Sequence, residues 1–310
     1  MKPKIVVVGS SNTDMIVRLS HLPTPGETVI NGSFAMAAGG KGANQAVAAA
    51  RAGGDVTLLT KVGNDLFGSQ ALEGFRNEGI NMEFVGIDSS SPSGVALIFV
   101  DERGENSIGV ASGANGEFHP SDLSQALDCI SSADILLVQL EIPLPTVEAA
   151  IRCAADAGVR VILNPAPARK LDAETLRLVS VITPNQAEAG ILSEVPLRDD
   201  KSLETAANRL LSMGLAAVVI TLGARGAFLA EPGSFEFVQA FEVKALDTTA
   251  AGDVFNGALA VSLGEGCNLR EAVRFANAAA GLSVQKLGAQ PSAPRRTEIL
   301  DLLKARTREA

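Results

Sequence analysis

The sequence predicts an α/β protein with a mostly parallel central sheet, helices on both faces of that sheet, and a small antiparallel β element that we interpret as a lid. Three observations predict this fold. Short apolar runs alternate with helix-length segments along most of the 310 residues. The runs are apolar throughout, which is typical of parallel strands buried on both faces. Two other regions, 15–38 and 93–111, alternate apolar and polar residues, which is typical of strands with one exposed face.

The individual elements follow from the same patterns. Strands are predicted at 4–9, 55–62, 134–141, 159–165, 179–183, 216–223 and 227–230. Helices are predicted at 42–53, 145–158 and 202–214, each ending in Gly, and at 252–264 from helical spacing of apolar residues. We interpret residues 1–310 as one α/β domain whose lid is formed by about 12–38 and 92–112.

Composition excludes several classes of partner. The net charge is −9 and no basic run exceeds two residues, so neither nucleic acid nor an anionic membrane is expected as a partner. No apolar segment reaches the ~18 residues of a membrane span. The three cysteines form no CxxC pair, which favours free thiols in a reducing compartment. We therefore expect a cytoplasmic protein.

Polar residues follow several of the predicted strands. In open parallel sheets, ligands bind at the carboxyl ends of the strands, so these residues are expected to meet at one site. Each one alone could equally be a helix cap or a loop residue. The residues are Asn12, Asp14, Glu141, Asn164, Asn185 and Thr221.

The segment "DTTAAGDVFNGALA" (247–260) combines an anion site with a carboxylate. A helix that begins near Gly252 presents free backbone N–H groups, and the small residues Ala250 and Ala251 let a phosphate approach them. Asp253 would lie beside that phosphate and could deprotonate an attacking hydroxyl, with a pKa depressed by the helix N-terminus. The alternative is an ordinary acidic residue in the first turn of a helix.

Two glycine-rich stretches add candidate contacts. "AAGGKGANQAVAAAR" (37–51) allows close backbone approach, and its Lys41 and Asn44 can bond hydroxyls. "TLGARG" (221–226) could cradle phosphates or be only a turn. The chain has neither a P-loop nor a G-x-G-x-x-G fingerprint. Its two histidines lie in Pro-containing loops, so a general base is expected to be a carboxylate.

Together these motifs resemble the two signatures of the ribokinase, or PfkB, family of carbohydrate kinases. They are "GGKGANQAVAAAR" and "DTTAAGDVFNGA", and the resemblance extends through "PTPGET", "LNPAPAR", "TPNQAE", "VITLGARG" and "KLGAQPS". It implies a ribokinase fold and ATP-dependent phosphorylation of a sugar, with D-ribose phosphorylated at O5. It also implies Mg²⁺, a monovalent cation such as K⁺, and a homodimer joined through the lids.

The resemblance assigns roles to individual residues. Asp253 is the implied base, and Ala251, Gly252 and Asp253 the implied anion hole. The sugar would be held by Asn12, Asp14, Gly40, Lys41, Asn44 and Glu141. Asn185 and Glu188 would organise Mg²⁺. ATP would contact Thr221, Leu222, Gly223, Ala224, Arg225, Gly226 and Asn277, besides Asn185, Gly252 and Asp253. K⁺ would be held by Asp247, Thr249, Ser283, Lys286, Gly288 and Ser292, several through backbone carbonyls.

Other functions stay open at this point. Within the family they are a deoxyribokinase, a fructokinase, a ketodeoxygluconate kinase and a nucleoside kinase. The chain has no Tyr or Trp to stack on a nucleobase, and Asn12 could read a 2-hydroxyl that deoxyribose lacks. A non-catalytic sugar or nucleotide sensor would not need Asp253. A Rossmann oxidoreductase lacks support because its fingerprint is missing.

Overall fold

A computed structural model describes residues 1–307; the domain prediction extends to 310, and 308–310 lie outside the described residues. The strands are β1 (Lys4–Val8), β2 (Asn12–Arg18), β3 (Ser33–Gly39), β4 (Asp55–Gly63), β5 (Val85–Asp88), β6 (Gly94–Val100), β7 (Asn106–Ala111), β8 (Ile135–Val138), β9 (Arg160–Leu163), β10 (Val181–Ile182), β11 (Val218–Thr221), β12 (Ala227–Glu231) and β13 (Ser234–Val238). The helices are α1 (Lys41–Ala52), α2 (Leu66–Asn77), α3 (Leu127–Ser131), α4 (Leu144–Asp156), α5 (Ala173–Arg177), α6 (Gln186–Ser193), α7 (Asp200–Ser212), α8 (Ala251–Gly264), α9 (Leu269–Ser283) and α10 (Arg296–Thr307). None of the helices within 1–307 is both long and apolar enough to cross a bilayer.

The larger sheet has nine strands in the order β13-β12-β11-β10-β9-β8-β1-β4-β5. The pairs from β11 to β5 are parallel, and only β12 and β13 are added antiparallel at one edge. Strand β1 buries side chains in both directions. Ile5 and Val7 pack into the layer that contains α1, α8 and α9, while Val6 and Val8 pack into the layer that contains α4 and α7. The mostly parallel sheet with helices on both faces is confirmed.

Several strands end earlier than the apolar runs predicted. Strand β8 ends at Val138 because the N–H of Leu140 donates to Ala166 O instead of continuing the ladder. Strand β11 ends at Thr221 because the N–H of Leu222 donates to Gly226 O and closes a tight turn. The apolar residues beyond these ends are still buried, so the hydrophobic pattern alone overestimated the strand length.

The smaller sheet has the order β3-β2-β6-β7. Its two hairpins are antiparallel, as predicted, and they join through a parallel pair, β2 with β6. The pairing register places Asp14, Ala96 and Val110 on one face. The opposite face carries Met36 and Leu97, which are exposed. The first face is turned toward the edge of the large sheet where its parallel strands end.

Candidate active site

The polar residues that follow the strands meet at one cavity of about 440 Å³. The cavity lies at the carboxyl edge of the parallel strands. The side chains come from different strand ends, which the order of the sheet brings side by side. The predicted convergence is confirmed, since the lining includes all six residues, Asn12, Asp14, Glu141, Asn164, Asn185 and Thr221.

The small sheet forms one wall of this polar cavity. Its contribution is mainly apolar, from Ala96, Ile98, Ile108 and Val110, with Asn106 from the same hairpin. An apolar wall opposite a set of carboxylates and amides excludes water from the polar groups when a ligand fills the space between them.

The N-terminus of α8 lies on the cavity wall with its backbone N–H groups uncapped. Ala250, at the N-cap, has a left-handed backbone (φ 56°) and no side chain caps the helix. The N–H of Ala251 donates to Thr248 O, whereas those of Gly252 and Asp253 donate to no residue that the structure describes. A Cβ on Gly252 would meet nothing within 4 Å, so the backbone there is open. Two of the three predicted N–H donors are therefore free for an anion.

Two side-chain amides fix the Asp253 carboxylate. Asn44 Nδ2 donates to Oδ2 at 3.0 Å, and Gln45 Nε2 donates to Oδ1 at 2.9 Å. Gln45 also donates to Asn164 Oδ1 at 3.1 Å and accepts from Gln139 Nε2 at 2.6 Å. The carboxylate is 5% exposed and opens only to the cavity. Its orientation is thus set by neighbouring residues of α1, before any ligand contact.

The pKa of Asp253 is raised, so the expected depression is wrong. Burial has the largest effect, and the Glu141 charge adds to it. The opposing influences of Lys41, Asn44 and Gln45 are too weak to reverse it. The sequence argument counted the helix N-terminus but could not know how little water reaches the carboxylate. The Asp253 charge, in turn, raises the pKa of Lys41, which stays protonated.

A second carboxylate in the cavity is also perturbed. Burial, and then the charges of Glu141 and Asp253, raise the pKa of Asp14 to about 6. Asp14 lies directly over Gly39, where a Cβ would come within 2.2 Å of its Oδ1, so only glycine leaves room for it. Lys41 partly offsets the accumulated negative charge.

Glu141 connects the cavity to the start of α1. Its Oε2 accepts from Ser10 Oγ at 2.6 Å and from the backbone N–H of Lys41 at 3.1 Å. Gly40, the N-cap of α1, has φ 86°, and a Cβ there would lie 2.6 Å from Asn12 N. The helix therefore begins in close contact with the strand end that carries Asn12.

Asn185 and Glu188 form a capping box at the start of α6. Asn185 Oδ1 accepts from the N–H of Glu188, and Glu188 Oε2 accepts from the N–H of Asn185, both at 2.9 Å. Both residues also line the polar cavity. Burial raises the pKa of Glu188. The pair therefore caps α6 and also presents a partly buried carboxylate to the cavity.

A second cavity of about 400 Å³ adjoins the first. Its lining includes Gly223, Ala224, Gly226 and Asn277, as predicted, with apolar residues of the 240–245 segment and of α9. Asn185 and Asp253, which were also predicted to contact ATP, line the first cavity instead. Two residues of the predicted 221–226 turn line neither cavity. Leu222 is 6% exposed and packs into the core, and Arg225 points away to form an ion pair with Asp200. Within this turn Gly223, Ala224 and Gly226 face the cavity and Leu222 and Arg225 do not, a distinction that the sequence motif does not show.

The two cavities share the N-terminus of α8. Ala251 and Gly252 line both, together with Thr221 and Thr248. A ligand in each cavity would therefore meet the other at the free N–H groups and at Asp253.

The segments at 247–252 and 286–292 lie against each other. Asp247 Oδ1 accepts from the N–H of Thr249 and Oδ2 from the N–H of Gly288, both at 2.9 Å. Although burial opposes it, these hydrogen bonds hold the pKa of Asp247 below its usual value. The two segments that carry most of the implied K⁺ ligands therefore lie together.

The other residues predicted to bind a monovalent cation use their side chains elsewhere. Ser283 and Ser292 donate their hydroxyls to the backbone carbonyls of Ala280 and Ala289. Lys286 forms an ion pair with Glu298 at 2.8 Å. Any contribution from Ser283, Lys286 and Ser292 to a cation would therefore come from their backbones.

Residues 2–296 match the family model described as pfkB family carbohydrate kinase. The chain belongs to this family. It is 43% identical to the ribokinase of Haemophilus influenzae over 303 residues, covering 98% of this chain and 99% of that protein. It is 40% identical to the Staphylococcus aureus ribokinase, covering 96% and 99%. The solved structure of Arabidopsis thaliana ribokinase complexed with ribose and ATP superposes with a TM-score of 0.92 at 34% identity, covering 98% of this chain and 99% of that one.

Some polar residues of this pfkB family site were not predicted from the sequence. Gln45 adjoins the predicted Asn44 but was not singled out. Asn256 accepts from Thr183 Oγ1 at 2.6 Å and donates to Gly252 O at 2.8 Å, which braces the first turn of α8. The sequence did contain a signal for them, because both amides occupy helix positions that are otherwise apolar. Burial of an amide costs free energy unless it is hydrogen bonded.

Proposed function

We propose that this protein is an ATP-dependent kinase that transfers the γ-phosphoryl group of ATP to O5 of D-ribose. The observation that carries the proposal is the position of Asp253 and the uncapped N-terminus of α8 at the boundary between two cavities. One cavity is lined by carboxylates and amides, which suit the hydroxyls of a sugar. The other is largely apolar and suits a nucleotide base. The ribokinase relatives, one of them in complex with ribose and ATP, support the same pair of substrates.

The chain's own residues account for the proton and the developing charge. Ionised Asp253 accepts the proton of the ribose 5-hydroxyl as that oxygen forms a bond to the γ-phosphorus. The bond between the γ-phosphorus and the bridging oxygen breaks, and ADP leaves with the electron pair. The free N–H groups of Gly252 and Asp253 stabilise the charge on the transferring group. A raised pKa makes Asp253 a stronger base than an exposed carboxylate.

The sugar is held by side chains on the polar cavity wall. Asn12, Asp14, Lys41 and Asn44 supply donors and acceptors, and Gly40 lets the ring approach the backbone. Glu141 acts mainly by holding Ser10 and the start of α1. The small sheet is proposed to act as a lid, so that water does not compete with the sugar for the phosphoryl group. In this proposal residues 1–310 work as a single catalytic unit.

The nucleotide lies with its base in the apolar cavity and its phosphates toward α8. Asn185 and Glu188 fit a Mg²⁺ ion, because an amide and a carboxylate supply the oxygen ligands that it prefers and the Glu188 carboxylate is costly to ionise alone. When bound, Mg²⁺ would neutralise charge on the phosphates. Asn277 bonds the carbonyls of Val238 and Gln239 and so fixes the wall of this cavity.

We further propose a K⁺ site at Asp247. Asp247 stays ionised, and it holds together two loops whose backbone carbonyls can replace the hydration shell of K⁺. The ion would not touch either substrate and would steady the segment that leads into α8. Capping by Asp247, which the structure also contains, is the competing role.

The outer face of the small sheet supports a homodimer. Phe34, Met36, Leu97 and Phe99 are 62%, 47%, 50% and 36% exposed on this face. An apolar face of this kind is typically covered by a partner, and the register of the sheet places these side chains together. The variant Leu97→Asp is expected to shift the protein to monomer in sedimentation velocity; an unchanged dimer, or a monomeric wild type, would contradict the proposal.

We also propose a cytoplasmic location. Cys129, Cys153 and Cys267 are all free thiols, which suits a reducing compartment that supplies ATP. Fractionation of the source cells with a compartment marker would test it; recovery outside the cytoplasm would contradict it.

The function is tested by ADP release over a panel of ribose, 2-deoxyribose, fructose, ketodeoxygluconate and nucleosides. We expect the highest kcat/KM with ribose, and ADP release slower on the order of 10²-fold or more in Asp253→Asn. The highest kcat/KM with another sugar or with a nucleoside would assign a different kinase of the family. Binding of ribose without turnover of any compound would favour a sensor.

A further inference from the structure

Asn115 lies in the turn (113–117) that follows the second hairpin of the small sheet, and it is 1% exposed. Its side-chain amide makes two hydrogen bonds with the backbone of Ser11, one as acceptor and one as donor. Oδ1 accepts from Ser11 N at 2.9 Å, and Nδ2 donates to Ser11 O at 3.0 Å. A backbone N–H can only donate and a carbonyl can only accept, so these two bonds allow only one orientation of the Asn115 amide.

That orientation determines the neighbouring amide. The second hydrogen on Asn115 Nδ2 is donated to Asn12 Oδ1 at 2.8 Å. Asn12 Oδ1 is therefore engaged as an acceptor, and Asn12 Nδ2 makes no hydrogen bond to any residue within 1–307. Since Asn12 lines the polar cavity and its Oδ1 is engaged by Asn115, the unpaired Nδ2 is the group that its amide offers to a ligand.

A donor at this place complements the carboxylate beside it. Asn12 and Asp14 are two residues apart on β2 and line the same cavity. A sugar hydroxyl has a single proton. If the hydroxyl donates that proton to Asp14, its oxygen must accept from another group, and Asn12 Nδ2 is positioned to donate. With the Asn12 amide reversed, two acceptors would compete for one proton.

The backbone beside these two amides has no room for a side chain at Gly94. Gly94, the first residue of β6, lies opposite Asn12 in the sheet register. A Cβ at Gly94 would come within 2.2 Å of both Asn115 Nδ2 and Asn12 Oδ1. The glycine thus accommodates the Asn12–Asn115 hydrogen bond at the base of the small sheet.

We propose that Asn115 is a positioning residue that fixes the Asn12 amide as a hydrogen-bond donor and so sets the preference for a sugar with a hydroxyl at the position that Asn12 and Asp14 read. The inference rests on the proposed function, because it assigns that position to the 2-hydroxyl of ribose. Asn115 acts through Asn12 and does not line the cavity itself.

The test compares kcat/KM for ribose and 2-deoxyribose at saturating ATP. In Asn115→Asp the acceptor toward Ser11 N is kept, but the hydrogen bonds that Nδ2 donates to Ser11 O and to Asn12 Oδ1 are both lost. We expect the ratio of ribose to 2-deoxyribose to fall on the order of 10-fold, the usual consequence of one unpaired buried polar group, with the KM for ATP unchanged. Gly94→Ala, which adds no charge, is expected to lower the ratio in the same direction and serves if Asn115→Asp does not fold.

Two controls separate positioning from general destabilisation. Thr146→Val removes a buried hydrogen bond to Phe118 O, next to the same turn, without touching Asn12; the ratio should stay at the wild-type value. In an Asn12→Met background, where the reading group is gone, Asn115→Asp should not change the ratio further.

The outcomes distinguish this inference from the proposed function. A wild-type ratio in both Asn115→Asp and Gly94→Ala would overturn the role of Asn115. A further fall of the ratio in the Asn12→Met background would show that Asn115 does not act through Asn12. If the wild type phosphorylates neither sugar, or both equally well, the ribose assignment itself fails.

Discussion

The two cavities that meet at α8 differ in the groups that line them. The polar cavity is lined by side chains that carry charge or amide groups, and three of its carboxyls, Asp14, Glu188 and Asp253, have raised pKa values. The neighbouring cavity is lined largely by apolar side chains and by glycines of the 223–226 turn. The first is suited to read the pattern of hydroxyls on a sugar. The second can hold a ligand through the shape of its apolar wall and through backbone groups of the turn.

Because their linings differ, the two cavities should tolerate mutations to different extents. Side chains that read a hydroxyl cannot be replaced without leaving a buried polar group unpaired, whereas an apolar wall tolerates changes that keep its shape. Only the first turn of α8, which both cavities share, should affect both substrates and the chemical step. Each prediction below separates the cavities by one measured quantity.

The largest effect is expected at the shared boundary. Asp253→Asn keeps the shape of the side chain and removes the base, so kcat should fall on the order of 10²-fold or more. Asn44 can turn its amide to accommodate the new NH₂, because its Oδ1 has no hydrogen-bond partner in the described part of the chain. Ribose and ATP should still bind in calorimetry. Near-normal kcat would return Asp253 to the role of an ordinary helix residue.

A change in the wall of the apolar cavity should affect only the nucleotide. Asn277→Leu leaves the Val238 and Gln239 carbonyls without their donor, and we expect the KM for ATP to rise on the order of 10-fold. The KM for ribose should stay constant. The matched control is Asn268→Ala, which removes the N-cap of the same helix away from both cavities. An equal rise of both KM values in Asn277→Leu would contradict a division between the cavities.

The carboxyls of the polar cavity should make kcat and kcat/KM fall at acidic pH, which gives each pH profile an acidic limb. A carboxyl with a raised pKa becomes protonated already as the pH falls through that raised value, so kcat/KM for ribose should decrease below about 6, the pKa of Asp14. Gln45→Met removes a hydrogen bond that lowers the pKa of Asp253, and we expect the limb of kcat to move to higher pH. Identical limbs in the wild type and Gln45→Met would exclude Gln45 from control of the base.

The smallest effect is expected outside both cavities, at Asp247. At constant ionic strength, exchange of sodium for potassium should raise kcat several-fold, and Asp247→Ala should reduce that response. Asp199→Ala, which removes a comparable capping carboxylate on α7, should leave the response intact. Equal rates in both salts would leave Asp247 with its capping role alone.

The sequence predicted those features that depend on pattern. Apolar runs located the strands of the large sheet, and their alternation with helices determined that the sheet is parallel, which brought Asn12 and Asn185 to one edge. The sequence could not predict quantities, such as pKa values, that depend on burial. The expected direction of the Asp253 pKa shift was wrong because burial of this carboxylate depends on tertiary contacts, such as that with Gln45 of α1, which is 208 residues away in the chain. Tertiary packing likewise decides which residues of the 221–226 turn line the cavity, and it keeps Leu222 and Arg225 out of that lining.

Residues that act through others were also beyond the sequence. Gln45 and Asn115 resemble ordinary helix and turn residues until their partners are known. Their importance arises from contacts over about 100 or more positions in the chain, such as Gln45 with Asp253 and Asn115 with Ser11. No local pattern encodes such contacts.

The most direct measurement is identification of the product by phosphorus and proton NMR after incubation with ribose, ATP and Mg²⁺. The account predicts one sugar phosphate, ribose 5-phosphate, formed in equal amount to ADP, with its rate of formation lowered on the order of 10²-fold or more in Asp253→Asn. Phosphate on another hydroxyl, or ADP released without a sugar phosphate, would contradict transfer to O5 at the boundary of the two cavities.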